Sequence, residues 1–221
     1  MPLLSVIVPA YNEESNIPVL IKRVATALSD VDYELIIVDD GSSDSTANVV
    51  KKFENIYPVR CIRHRTNMGK IEALKTGIQV AKGKYIAFLD ADMEYPPEAL
   101  PSMLQKALQG HDIVIAVRVD TRPIHRRIVG SGARLLARLL IPKLRRFKDP
   151  TTEMIIVKRD LILKASLKNY IKPFIPLLLI AENPAETVIQ LSRRSCGKTG
   201  FKVKWIFMYI HELLDLLFQR T

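Results

Sequence analysis

Residues 34–46 read Glu-Leu-Ile-Ile-Val-Asp-Asp-Gly-Ser-Ser-Asp-Ser-Thr. The apolar run Leu35 to Val38 predicts a strand buried on both faces. The abrupt change to Asp39-Asp40-Gly41-Ser42 predicts that it stops at a sheet edge. Ser45-Thr46 then predict the cap of a helix reaching about Asn55. This βα unit decides the fold because it recurs on both sides. Upstream, Leu3 to Val8 predicts a buried strand ended by Pro9. Asn12 to Ser15 open a helix with Ile17, Leu20, Ile21, Val24 and Leu28 on one face. Downstream, Val59 to Arg63 predicts a third strand, Arg65 to Gly69 a loop and about Lys70 to Ala81 a helix. Tyr85 to Leu89 predicts a fourth strand, ending at Asp90-Ala91-Asp92.

The βαβαβαβ order predicts an α/β fold with a doubly wound, mostly parallel sheet. Ligands in such sheets bind beyond the carboxyl ends of the strands. Three sequence features therefore fall on one edge: Pro9-Ala10-Tyr11-Asn12-Glu13, Asp39-Asp40 and Asp90-Ala91-Asp92. Beyond them we expect a helix over Glu98 to Leu108, a strand over Asp112 to Val117 and another over Met154 to Val157. A further candidate strand covers Ala185 to Leu191, and an apolar amphipathic helix covers Lys204 to Phe218.

The chain has 221 residues, 48% hydrophobic and 25% charged, enough to bury a core and too apolar for a disordered chain. Charge divides it. Residues 1–117 hold 12 Lys and Arg against 15 Asp and Glu, whereas residues 118–221 hold 21 against 8. The second half is suited to anions: phosphates, nucleic acid or an anionic membrane surface. Between Arg118 and Lys148 ten residues are Lys or Arg and only Asp120 is acidic. There Arg127, Arg134 and Arg138 recur at helical spacing, with Ile128, Leu135, Leu136, Leu139 and Leu140 on another side. This predicts a basic amphipathic helix, whose plain alternative is a packed surface helix with solvated arginines. Two cysteines, Cys61 and Cys196, exclude a disulfide scaffold and fit a reducing compartment. No apolar run approaches the roughly 18 residues of a membrane span, and the N-terminus lacks the basic region of a signal peptide.

Asp90 and Asp92, read as an extended segment, point the same way. Two hard oxygen donors suit Mg2+ or Mn2+ shared with substrate phosphates, and Glu94 continues the phase as a third oxygen. The alternative is a solvated turn. Asp39 and Asp40 repel one another and need donors, such as a nucleobase N–H or a ribose hydroxyl. Capping by Ser43, Asp44 and Ser45 accounts for the residues after them but not for the pair. Tyr11-Asn12-Glu13-Glu14 reads as a helix start able to attract an anion, or as ordinary capping. Gly197-Lys198-Thr199 echoes the end of a phosphate-binding loop, but Ser192 stands where that motif needs glycine. Arg193, Arg194, Lys198, Lys202 and Lys204 read instead as a mobile cationic segment. The four histidines show no metal-ligand spacing.

Three segments, in order, resemble the signature of family 2 glycosyltransferases with the GT-A fold. They are Val8-Pro9-Ala10-Tyr11-Asn12-Glu13-Glu14, Val38-Asp39-Asp40-Gly41-Ser42-Ser43-Asp44-Ser45-Thr46 and Asp90-Ala91-Asp92-Met93-Glu94-Tyr95-Pro96-Pro97. Lys148-Asp149-Pro150-Thr151-Thr152 and Arg194-x-x-Gly197-x-Thr199 resemble two further family segments. Within the family the chain is most similar to the dolichol-phosphate mannose synthases. The resemblance implies an inverting, metal-dependent transfer of a sugar, mannose from GDP-mannose first, to a polyprenyl phosphate. Pro9, Tyr11, Glu13, Val38 and Asp40 would form the nucleoside pocket. Asp90, Ala91, Asp92 and Glu94 would line the Mg2+ or Mn2+ and diphosphate site. Arg118 and Arg126 would meet phosphates, with Asp92 the third catalytic residue. Arg194 and Lys198 would close over the donor.

The resemblance implies one catalytic domain with a nucleotide-sugar half (1–117) and an acceptor- and membrane-facing half (118–221). It implies a cytoplasmic protein held peripherally at the cytosolic face of a membrane, with a membrane-anchoring subunit as a possible partner and no nucleic acid. Many relatives carry C-terminal membrane helices, so the chain is expected to be a type without them or a catalytic domain cut free. Two departures stand out. Glu153 occupies a position where the family has glycine, and Ile175 and Leu179 stand where it has a lysine and a glutamate, with Lys172 and Glu182 nearby but out of phase. The rival readings are a UDP-glucose or UDP-N-acetylglucosamine transferase and a non-catalytic basic module for membranes or nucleic acid. Gln190-Leu191-Ser192-Arg193-Arg194 only partly echoes the Gln-x-x-Arg-Trp motif of polysaccharide polymerases, and acid pairs on the binding edge would repel a polyanion.

Overall fold

A computed structural model describes residues 1–119, 124–165, 167–192 and 204–218. Its centre is a seven-stranded sheet in the order β3-β2-β1-β4-β6-β5-β7. The strands are β1 (Leu4–Ala10), β2 (Tyr33–Asp39), β3 (Val59–Arg63), β4 (Tyr85–Phe88), β5 (Ile113–Val119), β6 (Ile155–Lys158) and β7 (Pro184–Gln190). All neighbours run parallel except β6, which enters antiparallel between β4 and β5. The expected doubly wound, mostly parallel α/β sheet of the GT-A type is the one observed.

Alternation along the strands sends successive side chains to two cores. One face packs α1 (Ile17–Ala27), α2 (Thr46–Phe53) and α4 (Leu100–Leu108) on Leu4, Val6, Val8, Leu35 and Ile37. The expected stripe Ile17, Leu20, Ile21, Val24 and Leu28 is fully buried there. The other face packs α3 (Lys70–Val80), α5 (Ile124–Leu140), α6 (Arg159–Lys164), α7 (Ile175–Ile180) and α8 (Lys204–Phe218) on Ile7, Ile36, Ile86, Phe88 and Ile155. Helix α3 approaches β1 closely, since a Cβ at Gly77 would fall 2.4 Å from an Ile7 methyl.

Three expectations about boundaries change. Strand β1 runs through Pro9 to Ala10 rather than ending before it. Leu3 and Ile7 carbonyls face β4, whereas the Ala10 carbonyl faces β2. Pro9 therefore turns its missing N–H toward β4, whose pairing has already ended at Ile7. Helix α1 begins at Ile17, not at Asn12, because Asn12 is left-handed (φ 56°) and the chain turns before the helix starts. Helix α2 makes no side-chain cap through Ser45. The Thr46 N–H is instead accepted by Asp44 Oδ1 at 2.9 Å.

Candidate active site at the carboxyl edge of the sheet

The carboxyl ends of β1, β2, β3 and β4, with the segments that follow them, close around one cavity of about 360 Å³. The first gives Pro9, Ala10, Tyr11 and Glu13, the second Asp40, the third Asn67, Gly69 and Lys70, and the fourth Asp90, Ala91 and Asp92. Parallel strands leave at the same edge, so residues up to 83 apart in sequence become neighbours there. Of the residues expected on this edge, Pro9, Tyr11, Glu13, Asp40, Asp90, Ala91 and Asp92 line the cavity. Val38 does not. It is fully buried among Ile36, Ile71 and Leu74 on the α3 face, because alternation along β2 turns it into the core.

The first two loops are fastened to one another. Asn12 N–H donates to Ser42 Oγ at 2.9 Å, Glu13 N–H to Thr46 Oγ1 at 2.9 Å and Glu14 N–H to Asp44 Oδ2 at 3.1 Å. In return Ser43 N–H donates to Asn12 Oδ1 and Ser45 N–H to Glu14 Oε2. Asn12, Glu14, Asp44 and Thr46 thus build the rim. The Tyr11–Glu14 segment is half of this clasp rather than the first turn of a helix.

The repulsion between Asp39 and Asp40 is offset inside the protein. Asp39 Oδ1 accepts the Ser42 N–H at 3.0 Å, and Arg63 Nε lies 3.2 Å from Oδ2. Asp40 Oδ1 accepts the Met68 N–H at 2.9 Å and Oδ2 the Gly69 N–H at 2.8 Å, with His64 Nδ1 2.8 Å from Oδ1. Asp40 therefore anchors the β3–α3 loop as well as facing the cavity. Gly41 makes the turn possible. It sits at φ 71°, and a Cβ there would lie 2.5 Å from the Thr66 carbonyl carbon.

After β4 the chain turns instead of staying extended, with Met93 at φ 58°. Asp90 and Asp92 both reach the cavity, but Glu94 does not. Glu94 is buried, its N–H donates to Asp92 Oδ1 at 3.0 Å and its carbonyl accepts the Ser192 N–H. The alternating phase that recommended Glu94 as a third oxygen applies only to extended backbone, which this is not. Among the described residues no group of three His, Cys, Asp or Glu side chains is placed to hold a metal ion alone. Two carboxylates still fit Mg2+ or Mn2+, which commonly take one or two protein carboxylates and complete their shell with water and substrate phosphates.

Lys70, the first residue of α3, was not foreseen as a site residue. Its ammonium lies 2.6 Å from Asp90 Oδ1 and also contacts Glu153, whose other oxygen lies 2.5 Å from Lys172 Nζ. Burial would lower the Lys70 pKa, but Asp90 and Glu153 hold it well above its ordinary value. Burial would raise Glu153, but Lys172 and Lys70 hold it far below the usual carboxylate range. Burial pushes the Asp90 carboxyl up to about 6 against the pull of Lys70. The sequence signal for Lys70 was its place at a helix start after a glycine on the binding edge. Nothing local in the sequence pairs it with residue 153.

Arg118 is not on the cavity. Its Nε lies 2.6 Å from Asp149 Oδ2, and its Nη2 donates to Asp149 Oδ1 and Thr151 Oγ1, both at 2.7 Å. The pair is buried, and Arg134 of α5 lies 3.8 Å from Asp149. Strand β5 turns Arg118 inward to tie down the 148–152 segment, so the expected phosphate contact gives way to a structural one. Arg126 falls on α5 with its side chain outside the described ones, and Arg194 and Lys198 lie outside the described residues.

Helix α5 is amphipathic in an unexpected sense. Arg134, Leu136, Ala137 and Leu140 turn inward, whereas Ile128, Leu135 and Leu139 are 66%, 59% and 59% exposed beside exposed Arg127 and Arg138. Helix α8 packs next to it, with Tyr209 Oη donating to the Ala133 carbonyl at 3.3 Å, and exposes Phe207 and Met208. Apolar and basic side chains therefore share the outward surface of α5.

The family model for glycosyl transferase family 2 matches residues 5–171. The dolichol-phosphate mannosyltransferase of Pyrococcus furiosus is 30% identical over 224 residues, covering 97% of this chain and 63% of that protein. The chain thus spans less than two thirds of that relative's length. Among solved structures, glucosyl-3-phosphoglycerate synthase from Mycobacterium tuberculosis with phosphoglyceric acid aligns at TM-score 0.72 and 21% identity, covering 99% of this chain and 80% of that one. The same enzyme with Mn2+, uridine-diphosphate-glucose and phosphoglyceric acid aligns at 0.71 and 21%, covering 99% and 79%. A mycobacterial protein aligns at 0.76 and 24%, covering 99% and 74%.

Proposed function

The chain belongs to glycosyl transferase family 2, and we propose that it is a glycosyltransferase that moves mannose from GDP-mannose to a polyprenyl phosphate, dolichyl phosphate first, with inversion at the anomeric carbon. The observation that carries the reading is the meeting of Pro9, Tyr11, Glu13, Asp40, Asp90 and Asp92 in one cavity. The relative at 30% identity carries the dolichol-phosphate mannosyltransferase name, which supports this donor and acceptor. Residues 1–117 hold the nucleotide sugar, and residues 118–221 form the acceptor side of the same domain.

Asp90 and Asp92 would hold Mg2+ or Mn2+, and Mn2+ in the uridine-diphosphate-glucose complex of the mycobacterial enzyme supports that choice. Such an ion supplies Lewis-acid stabilisation of charge on the departing diphosphate. Lys70 places a fixed cation at the same wall. An acceptor phosphate is already anionic, since a phosphomonoester has its second pKa near about 6, so attack needs orientation rather than a general base. Arg126 on α5, with Arg194 and Lys198, supplies candidate contacts to acceptor and donor phosphates.

The exposed leucines and arginines of α5 suit peripheral attachment to an anionic membrane surface, the cytosolic leaflet in a cell. Among the described residues no helix is long and apolar enough to cross a membrane. A membrane-anchoring subunit would find this same surface.

A thermal-shift panel of GDP-, UDP-, CDP- and TDP-sugars, each with and without Mn2+, tests the reading. GDP-mannose with Mn2+ should give the largest shift, followed by mannosyl transfer to dolichyl phosphate. A larger shift with UDP-glucose moves the assignment to a UDP-sugar enzyme, and no shift with any sugar favours a non-catalytic module.

A further inference from the structure

Glu153 is the one acid in the half-buried charge cluster around Lys70 that the family resemblance does not account for. Antiparallel β6 enters the sheet at the edge where β4 leaves, with Ile155 opposite Phe88. That register brings residue 153 beside the Asp90 turn. Its backbone is fixed there by the N–H donated to Tyr95 Oη at 3.1 Å. Its carboxylate then spans Lys70 and Lys172, so the chain Asp90, Lys70, Glu153, Lys172 alternates in sign.

This arrangement has a consequence for the cation proposed at Asp90 and Asp92. Lys70 already occupies Asp90 at 2.6 Å, and a divalent ion at the same carboxylate would face an ammonium at contact distance. Lys70 must give up Asp90 while staying at the wall that the departing diphosphate would meet. A second carboxylate behind it makes that exchange possible.

We propose that Glu153 is a positioning residue: it retains the Lys70 ammonium at the cavity wall when Asp90 is taken over by a divalent cation. Lys172 neutralises the other oxygen of Glu153, so the carboxylate stays ionised and aimed at Lys70. Removing the Glu153 charge leaves Lys70 with Asp90 as its remaining partner in the cluster. The lysine then competes more strongly for Asp90. The inference rests on the reading that Asp90 and Asp92 hold the cation.

The test is titration of the full chain with Mn2+ alone, counting the free ion by electron paramagnetic resonance, with folding checked by circular dichroism. Glu153→Gln should weaken Mn2+ binding about tenfold, the scale of one charge contact. Lys70→Met should bind Mn2+ at least as tightly as the unaltered chain, because the competing ammonium is gone. In the Lys70→Met background, Glu153→Gln should change nothing further. Unchanged affinity in Glu153→Gln, or an equal loss with and without Lys70, overturns the proposal. Asp92→Asn serves as the separate control. If it binds Mn2+ like the unaltered chain, the metal reading itself fails; if it loses Mn2+ while Glu153→Gln does not, only the role of Glu153 fails.

Discussion

Arg118 and Asp149 meet in a two-pronged buried ion pair, Nε to Oδ2 at 2.6 Å and Nη2 to Oδ1 at 2.7 Å. The pair joins β5 to the segment that leads into β6, and Arg134 brings α5 to the same carboxylate. An arginine that a motif assigns to a substrate phosphate is thus committed to holding β5, α5 and the 148–152 segment together.

Asp149→Asn should destabilise the protein by about 3–5 kcal/mol, because it leaves a buried guanidinium uncompensated. Urea unfolding measures this. A loss below about 0.5 kcal/mol, the scale of an exposed pair, would contradict the structural role.

The same pair sets an acid dependence. Burial would raise the Asp149 carboxyl, but Arg118 holds it below its ordinary 3.8. Folding therefore favours the ionised form. The stabilisation is complete above about pH 4 and is lost as pH falls through the depressed native value. Unfolding midpoints measured from neutral pH downward should show the gap between the unaltered chain and Asp149→Asn narrowing only in that acid range.

Asp92→Ala should abolish metal-dependent sugar transfer, by at least about a hundredfold, while the chain stays folded. Turnover comparable to the unaltered protein would remove Asp92 from the proposed metal site.

Gly41→Ala should unfold or loosen the β2–α2 turn, since the new methyl would meet the Thr66 backbone at a positive φ. A cost of about 1–3 kcal/mol is expected. Because Asp40 and Ser42 flank the turn, nucleotide affinity should fall with stability, which calorimetry can read.

Leu135→Glu together with Leu139→Glu should reduce binding to vesicles containing phosphatidylserine, with little change in stability because both side chains are more than half exposed. Co-sedimentation measures it. Arg126→Ala should raise KM for the lipid acceptor more than for the nucleotide sugar, and equal losses would count against an acceptor contact.

The sequence by itself determined the layered α/β fold and the edge on which the site would lie. Apolar runs that stop abruptly mark strand ends, and parallel strands separated by helices must all leave at one edge. That is why Pro9, Asp40, Asp90 and Asp92 could be placed together before any coordinates. Only the tertiary structure decided which side chains face the cavity. Val38 is turned into the core by its phase on β2, Glu94 is withdrawn by the left-handed turn at Met93, and Arg118 is claimed by an acid 31 residues away. Glu153 reaches Lys70 only because β6 runs against its neighbours. Local periodicity fixes where an element begins and which face is apolar, but a contact between distant charges depends on strand order and direction, which no short stretch of sequence encodes.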